Sequence, residues 1–223
     1  MERKHATLRA TECFSALSDA ALAKLASEAR PLRAARRRVV IDPASRQEVL
    51  VLSAGRVRVA RRQHERQLTL GYYGPYEIVG EMHLTPVSDP VEVIAMEAVE
   101  GYLLSCESIR SCMQQEATFA AQLVDLMAAR RLRSERRLES FLTRTVESRV
   151  AEFLLDVAER YGIADARGTL ISVRFTHQEM ASYVGSTRET VTVVLAEFKR
   201  QGMVSTDHRR IIVADAEQLR LRV

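Results

Sequence analysis

No stretch of the chain approaches the roughly 18 consecutive apolar residues of a membrane-spanning helix. Met1-Glu2-Arg3-Lys4-His5 is not followed by the apolar segment of a signal peptide. The sequence therefore predicts a soluble, untranslocated, cytoplasmic protein with no membrane partner. Cysteine is scarce: Cys13, Cys106 and Cys112 are odd in number and none stands in a CxxC pair. That pattern excludes a disulfide framework, a structural zinc site and an iron–sulfur cluster, and it predicts a reducing compartment. His5, His64, His83, His177 and His208 are scattered, and no nucleophile–base pairing or phosphate-cradling glycine loop is present. Neither an enzyme nor a metal site is expected. Lysine is nearly missing: only Lys4, Lys24 and Lys199 among 33 basic residues, the rest being arginine, with a net charge of +4. Arginine offers planar bidentate donors to phosphates, guanine edges and carboxylates. A genome whose codons favour arginine explains the same excess, so composition leaves both readings open.

At 223 residues and 47% hydrophobic, the chain suits one large or two ordinary domains of roughly 100–200 residues each. Residues 7–28 read as one or two short amphipathic helices, with Leu17, Leu22 and Leu25 at helical spacing and Ser18-Asp19 as a cap. Short β-type runs then fill residues 31–106, beginning at Arg38, Val49, Arg56, Gln67, Val91 and Gly101. Turns at Asp42-Pro43, Ser53-Ala54-Gly55, Gly71, Gly74-Pro75, Gly80 and Asp89-Pro90 separate them, as in an antiparallel sandwich or barrel.

Between residues 108 and 142 there is neither proline nor glycine, which predicts a single long helix. Phe119, Leu123, Leu126 and Met127, with Val124 beside them, are spaced like a coiled-coil seam. Arg130, Arg131, Arg133, Arg136 and Arg137 follow, as a solvated face laced by pairs such as Glu135 with Arg131 or as a partner-binding surface. A helix over 144–161, a strand over 169–174, two helices and a hairpin over 203–213 complete the chain.

Thr176-His177-Gln178-Glu179 is a capping box, Met180, Ala181 and Val184 face inward, and Gly185 permits an abrupt turn. The next helix starts at Ser186-Thr187 and buries Val191, Val194, Leu195 and Phe198. That leaves Arg188, Glu189, Thr192, Val193, Ala196 and Lys199 outside. Two helices joined by a tight glycine turn, followed by a hairpin tipped with Asp207-His208-Arg209-Arg210, form a winged helix-turn-helix pattern. Arg188 can donate to guanine O6/N7 and Glu189 can accept from cytosine N4; a capping box between Ser186 and Glu189 is the bland alternative.

The segment Phe175 to Val191, and above all Gly185-Ser186-Thr187-Arg188-Glu189-Thr190-Val191, resembles the recognition-helix motif of the CRP/FNR family of bacterial transcription regulators. Ser53-Ala54-Gly55-Arg56-Val57 and Ile78-Val79-Gly80-Glu81-Met82 are similar to that family's β-roll turns. The resemblance implies an α+β chain: a β-roll like a cyclic-nucleotide-binding jelly roll (1–107), a central dimerisation helix (108–142) carrying Phe119, Leu123, Leu126 and Met127, and a winged helix-turn-helix (143–223). It implies a homodimer on palindromic double-stranded DNA, with RNA polymerase as a further partner. Arg188, Glu189, Thr192 and Val193 would read bases. Thr176, His177, Gln178, Thr187, Thr190, Arg209 and Arg210 would contact phosphates. Val193 stands where CRP-type relatives carry a second recognition arginine, so their half-site does not transfer.

In cyclic-nucleotide-binding relatives an Arg-Ser pair after Gly-Glu grips the phosphate; here Gly80-Glu81 is followed by Val91-Glu92, whose carboxylate would repel a phosphate. Cyclic nucleotide is therefore not expected, and no cofactor is. Haem-binding relatives use a histidine near Met82-His83, which keeps haem on His83 as an alternative beside a core histidine. The effector corner is then Gly80, Glu81 and His83. A ligand- or haem-gated sensor and a protein-binding anti-activator remain as alternatives to an effector-independent DNA-binding regulator.

Overall fold

The computed structural model describes residues 2–42, 47–63, 66–85 and 91–223. Pro43, His64 and the Pro86–Pro90 stretch lie outside the described residues. The chain divides into two compact units, Met1–Leu132 and Arg133–Val223. The structure is a mixture of helices and antiparallel sheets, as the sequence predicts.

In the first unit α1 (Glu2–Ala10), a 3-10 turn (Glu12–Phe14) and α2 (Asp19–Glu28) precede the strands. The Ser18 hydroxyl caps α2, accepting from the Ala21 amide at 3.3 Å. The strands are β1 (Arg30–Ala34), β2 (Val39–Ile41), β3 (Glu48–Ala54), β4 (Val57–Gln63), β5 (Arg66–Tyr73), β6 (Ile78–Val79), β7 (Glu92–Ala95) and β8 (Val99–Ser105). They form two antiparallel sheets in the orders β1-β8-β3-β6 and β2-β7-β4-β5. Strand β3 shows why the roll closes. Leu50 and Leu52 point into a core with Ile41, Val57, Val59, Val79, Val93 and Val99. Val49 and Val51, on the other face, join Leu8, Phe14, Leu22, Leu25 and Ile109. The period of two thus places apolar side chains in two cores at once. Each large side chain so buried contributes about 1.5–3 kcal/mol. Strands β1 and β6 were not legible in the sequence: β1 is mostly exposed and β6 has two residues.

The single helix expected over 108–142 is instead two, α3 (Cys106–Gln115) and α4 (Ala117–Thr143). Glu116 breaks it with extended φ −124° and ψ 91°. Packing overrides propensity here. The Glu116 carboxylate accepts from the Ser18 hydroxyl at 2.5 Å, and the Phe119 ring stacks on Phe14 at 5.4 Å.

That stack also corrects the seam. Phe119 and Leu123 are buried in the chain's own core and so are not available to a second chain, while Leu126 packs against that core half-buried. The exposed apolar residues of α4 are Val124, Met127, Leu132, Leu138 and Leu142. All three cysteines are buried and unpaired, and burial pushes the Cys13 thiol up to about 12.

A second correction concerns Arg130. It is not part of a solvated face: its side chain is only 11% exposed and is ion-paired with the buried Glu81 carboxylate. It donates to the Ile78 carbonyl at 2.6 Å, with its guanidinium 4.6 Å from the centre of the Tyr73 ring. Burial is the largest single influence and opposes its charge, but Glu81, Tyr73 and Glu77 together outweigh it and raise its pKa. Removing one partner strands the other charge. Glu81→Ala is expected to cost about 3–5 kcal/mol in urea unfolding, whereas replacing both partners by Leu and Met costs far less. Equal losses for the single and double variants would show that shape, not charge pairing, holds this corner.

The second unit, beyond the end of α4, contains α5 (Val146–Tyr161), β9 (Gly162–Asp165), β10 (Gly168–Ile171), α6 (His177–Val184), α7 (Arg188–Arg200), β11 (Val204–Asp207), β12 (Arg210–Val213) and α8 (Ala216–Arg220). Its antiparallel sheet runs β11-β12-β10-β9. Strand β10 ends at Ile171, short of the expected 174. Ser172 turns back to the α5 terminus, where its amide donates to the Tyr161 carbonyl at 3.0 Å.

Candidate nucleic-acid interface

Phe153 of α5 anchors the C-terminal unit, meeting the Phe175 ring edge-on at 5.2 Å and the Tyr183 ring at 5.2 Å. Helix α6 opens with the expected capping box: the Thr176 hydroxyl accepts from the Glu179 amide at 3.1 Å, and the Glu179 carboxylate accepts from the Thr176 amide at 2.7 Å. Met180, Ala181 and Val184 are buried, as their spacing predicts. Gly185 ends the helix in the left-handed region at φ +66°. A methyl group there would lie 3.0 Å from the Phe141 ring.

Helix α7 is then fixed from both sides. At its start the Thr187 hydroxyl accepts from the Thr190 amide at 3.2 Å. The cap is therefore Thr187, and the alternative box between Ser186 and Glu189 does not form. Along its inner side Val191, Leu195 and Phe198 are buried, with Val194 half-buried. Arg188, Glu189, Thr192, Val193, Ala196 and Lys199 are all exposed on the opposite side. Arg188 and Glu189 sit in the first turn, where the positive end of the helix dipole favours an approaching anion.

The other expected contact residues surround this helix. Thr176, Gln178 and Thr187 are exposed, while His177 and Thr190 are half-buried. His177 Nδ1 lies 2.7 Å from the Thr192 hydroxyl, which donates to the Arg188 carbonyl at 2.8 Å. In the wing, Asp207 pairs with Arg210 across a two-residue turn. His208 and Arg209 both take positive φ, 44° and 65°, as a type I′ hairpin requires. Arg209 is exposed and Arg210 half-buried.

Sequence reasoning missed two supports. Arg167, in the β9–β10 turn, donates to Asp165 at 2.9 Å and to Asp207 at 2.8 Å, tying the wing tip to the neighbouring hairpin. Those hydrogen bonds hold the Asp165 carboxyl down to about 2 and lower that of Asp207. Arg149 of α5 donates to the Val184 carbonyl at 2.8 Å, satisfying the end of α6. No local pattern marks the links to Asp207 and Val184, which lie 40 and 35 residues away from Arg167 and Arg149.

In the N-terminal unit the residues expected to form an effector corner have partners within the chain. Gly80 has φ +98°, and the buried Glu81 pairs with Arg130. The buried His83 has Nδ1 3.0 Å from the Glu48 carbonyl. Val91 is buried; the Glu92 carboxylate accepts from Gln67 at 3.0 Å and lies 3.5 Å from Arg62.

Comparison with known proteins agrees with this geometry. Residues 148–222 match the Crp-like helix-turn-helix domain. The regulatory protein CysR of Synechococcus elongatus is 32% identical over 157 residues, covering 68% of each chain. The chain belongs to the CRP/FNR family of transcription regulators. A CRP-like cAMP-activated global transcriptional regulator of Mycobacterium tuberculosis is 26% identical over 214 residues, 94% of this chain and 95% of that one. The fold matches that of FixK2 from Bradyrhizobium japonicum with a TM-score of 0.76 at 20% identity, covering 87% and 96% of the two chains. The protein is thus a CRP/FNR-type transcription regulator with a C-terminal helix-turn-helix DNA-binding domain.

The turn between α6 and α7 is the sensitive joint. Gly185→Ala forces a side chain into the left-handed region and is expected to cost about 1–2 kcal/mol. Loss of the cap in Thr187→Ala is expected to cost about 1 kcal/mol. Urea titration of the folded chain checks both, and an unchanged midpoint for Gly185→Ala contradicts the assigned strain.

Proposed function

We propose that the protein is a cytoplasmic, homodimeric regulator that binds a palindromic double-stranded DNA site without cyclic nucleotide and acts through RNA polymerase. In this reading residues 1–107 are the effector-type roll, 108–142 the dimerisation segment and 143–223 the DNA-binding domain. The observation that carries it is the exposure of Arg188 and Glu189 together on the first turn of a helix whose other side is buried. Arg188 donates two of its guanidinium N–H hydrogens to guanine O6/N7 and Glu189 accepts from cytosine N4, so the pair reads a G·C-containing step. Val193, 68% exposed, offers only an apolar contact suited to a thymine methyl group. Thr176, His177, Gln178, Thr187, Thr190, Arg209 and Arg210 set register on the phosphates.

Two observations support the finer points. The exposed apolar residues Val124, Met127 and Leu138 on α4 are at spacings a second copy of the helix would cover. A two-fold pair then reads half-sites about 34–36 Å apart, which one helix cannot do. At the effector corner, Val91 cannot donate to a phosphate, and the Glu92 carboxylate is already engaged by Gln67 and Arg62. Glu81 is likewise committed to Arg130. These residues do not fit a cyclic nucleotide. Nor do they fit haem: His83 is 3% exposed, so a haem could reach it only by displacing the side chains that cover it.

Selection of bound duplexes from a random pool, using protein without added ligand, is expected to enrich a palindrome; failure to enrich any sequence overturns the reading. Arg188→Ala is expected to cost about 1–3 kcal/mol at that site and to relax preference at one base pair. Arg209→Ala should instead weaken all duplexes alike and flatten the slope of log K against log[salt] by about one unit per site. Fluorescence anisotropy on cognate and scrambled duplexes distinguishes the two effects.

A further inference from the structure

A hydroxyl has one hydrogen, and that of Thr192 is committed: Oγ1 donates to the Arg188 carbonyl at 2.8 Å. His177 Nδ1, 2.7 Å from the same oxygen, must therefore be the donor. An imidazole that donates from Nδ1 in its neutral form carries its lone pair on Nε2. Among the described residues nothing pairs with that second nitrogen. On the proposed DNA-binding reading, on which this inference rests, His177 faces the phosphate backbone, and a lone pair facing phosphate oxygens repels them. Only the imidazolium can keep the bond to Thr192 and also donate from Nε2.

We propose that DNA binding by this protein takes up a proton at His177, because Thr192 holds the neutral ring in the tautomer that cannot donate to a phosphate. Thr192 is then a positioning residue that ties the start of α6 to the recognition helix, rather than a base reader. The sign follows from linkage. The proton is held more tightly in the complex, so affinity rises as pH falls and is lost as pH rises.

On α6, Glu179 is engaged by the Thr176 amide and hydroxyl. On α7, Arg188 and Glu189 lie one turn before Thr192. Helix α5, which packs against α6, brings Arg149 to the Val184 carbonyl at the far end of that helix and Asp156, Arg160 and Glu152 near Tyr183, where Arg137 of α4 also lies over the ring at 4.2 Å. The other candidate titrating group is His208 at the wing tip, with Nδ1 2.6 Å from Asp207.

The test uses the full-length chain and its selected duplex, with anisotropy from pH 5.5 to 8.5 at constant ionic strength. Calorimetry in two buffers of different ionisation enthalpy counts protons. Affinity is expected to fall up to about tenfold per pH unit for each proton linked, with proton uptake on binding. His177→Gln, a neutral donor, should remove the pH dependence, and His208→Gln should keep it. Thr192→Val separates tautomer control from a merely structural role. Freed of Thr192, the neutral ring can donate from Nε2, so at least half of the pH dependence should vanish while binding at high pH improves. The inference is overturned by pH-independent binding of the wild type, by a slope that follows His208, or by a Thr192→Val variant with the full slope. Absence of binding to any duplex at every pH would instead overturn the DNA-binding reading itself.

Discussion

Val191, Leu195 and Phe198, buried on one side of a 13-residue helix, decide what its other side can present. Because that seam is packed and both ends of the turn before it are capped, the backbone positions of Arg188 and Glu189 are fixed on the exposed side. Side chains that read base edges must reach the groove already oriented, or the entropy of ordering them is lost from discrimination. The Phe153–Phe175–Tyr183 cluster beneath α6, and Arg149 at its end, extend the same rigidity into α5.

The polar network at the N-terminal corner is a different use of charge. Glu81, Arg130, Ile78 and Tyr73 hold together the end of β6 and the middle of α4 with an ion pair, a charge-assisted hydrogen bond and a cation–π contact. The exposed arginines farther along α4 resemble Arg130 in sequence and differ from it entirely in environment. A guanidinium on a helix is therefore no guide to its own burial: Arg130 is enclosed opposite the Glu81 carboxylate, and Arg137 is half-buried over the Tyr183 ring.

The parts legible in the sequence were those set by neighbours along the chain. Thr176 and Glu179 declared a helix start because a capping box needs only three residues, and the alternation in Val49-Leu50-Val51-Leu52 marked a strand because its pleat is local. The break at Glu116, the loss of Phe119 and Leu123 to the chain's own core, and the Arg167 link to Asp207 depend on partners 98, 105 and 40 residues away. Glu189 lay between these cases. Its spacing from Ser186 fitted a capping box, but Thr187 took the cap, and one residue of phase moved the carboxylate from a structural role to the exposed face.

The buried thiols have a practical corollary. With Cys13, Cys106 and Cys112 all enclosed, and Cys13 deprotonating only near the upper end of the aqueous range, the native chain offers reagents very little thiolate. A single cysteine engineered on the hairpin tip would accept a fluorophore or spin probe selectively. The approach of that hairpin to a duplex could then be followed as a distance, with the wild-type background left in place.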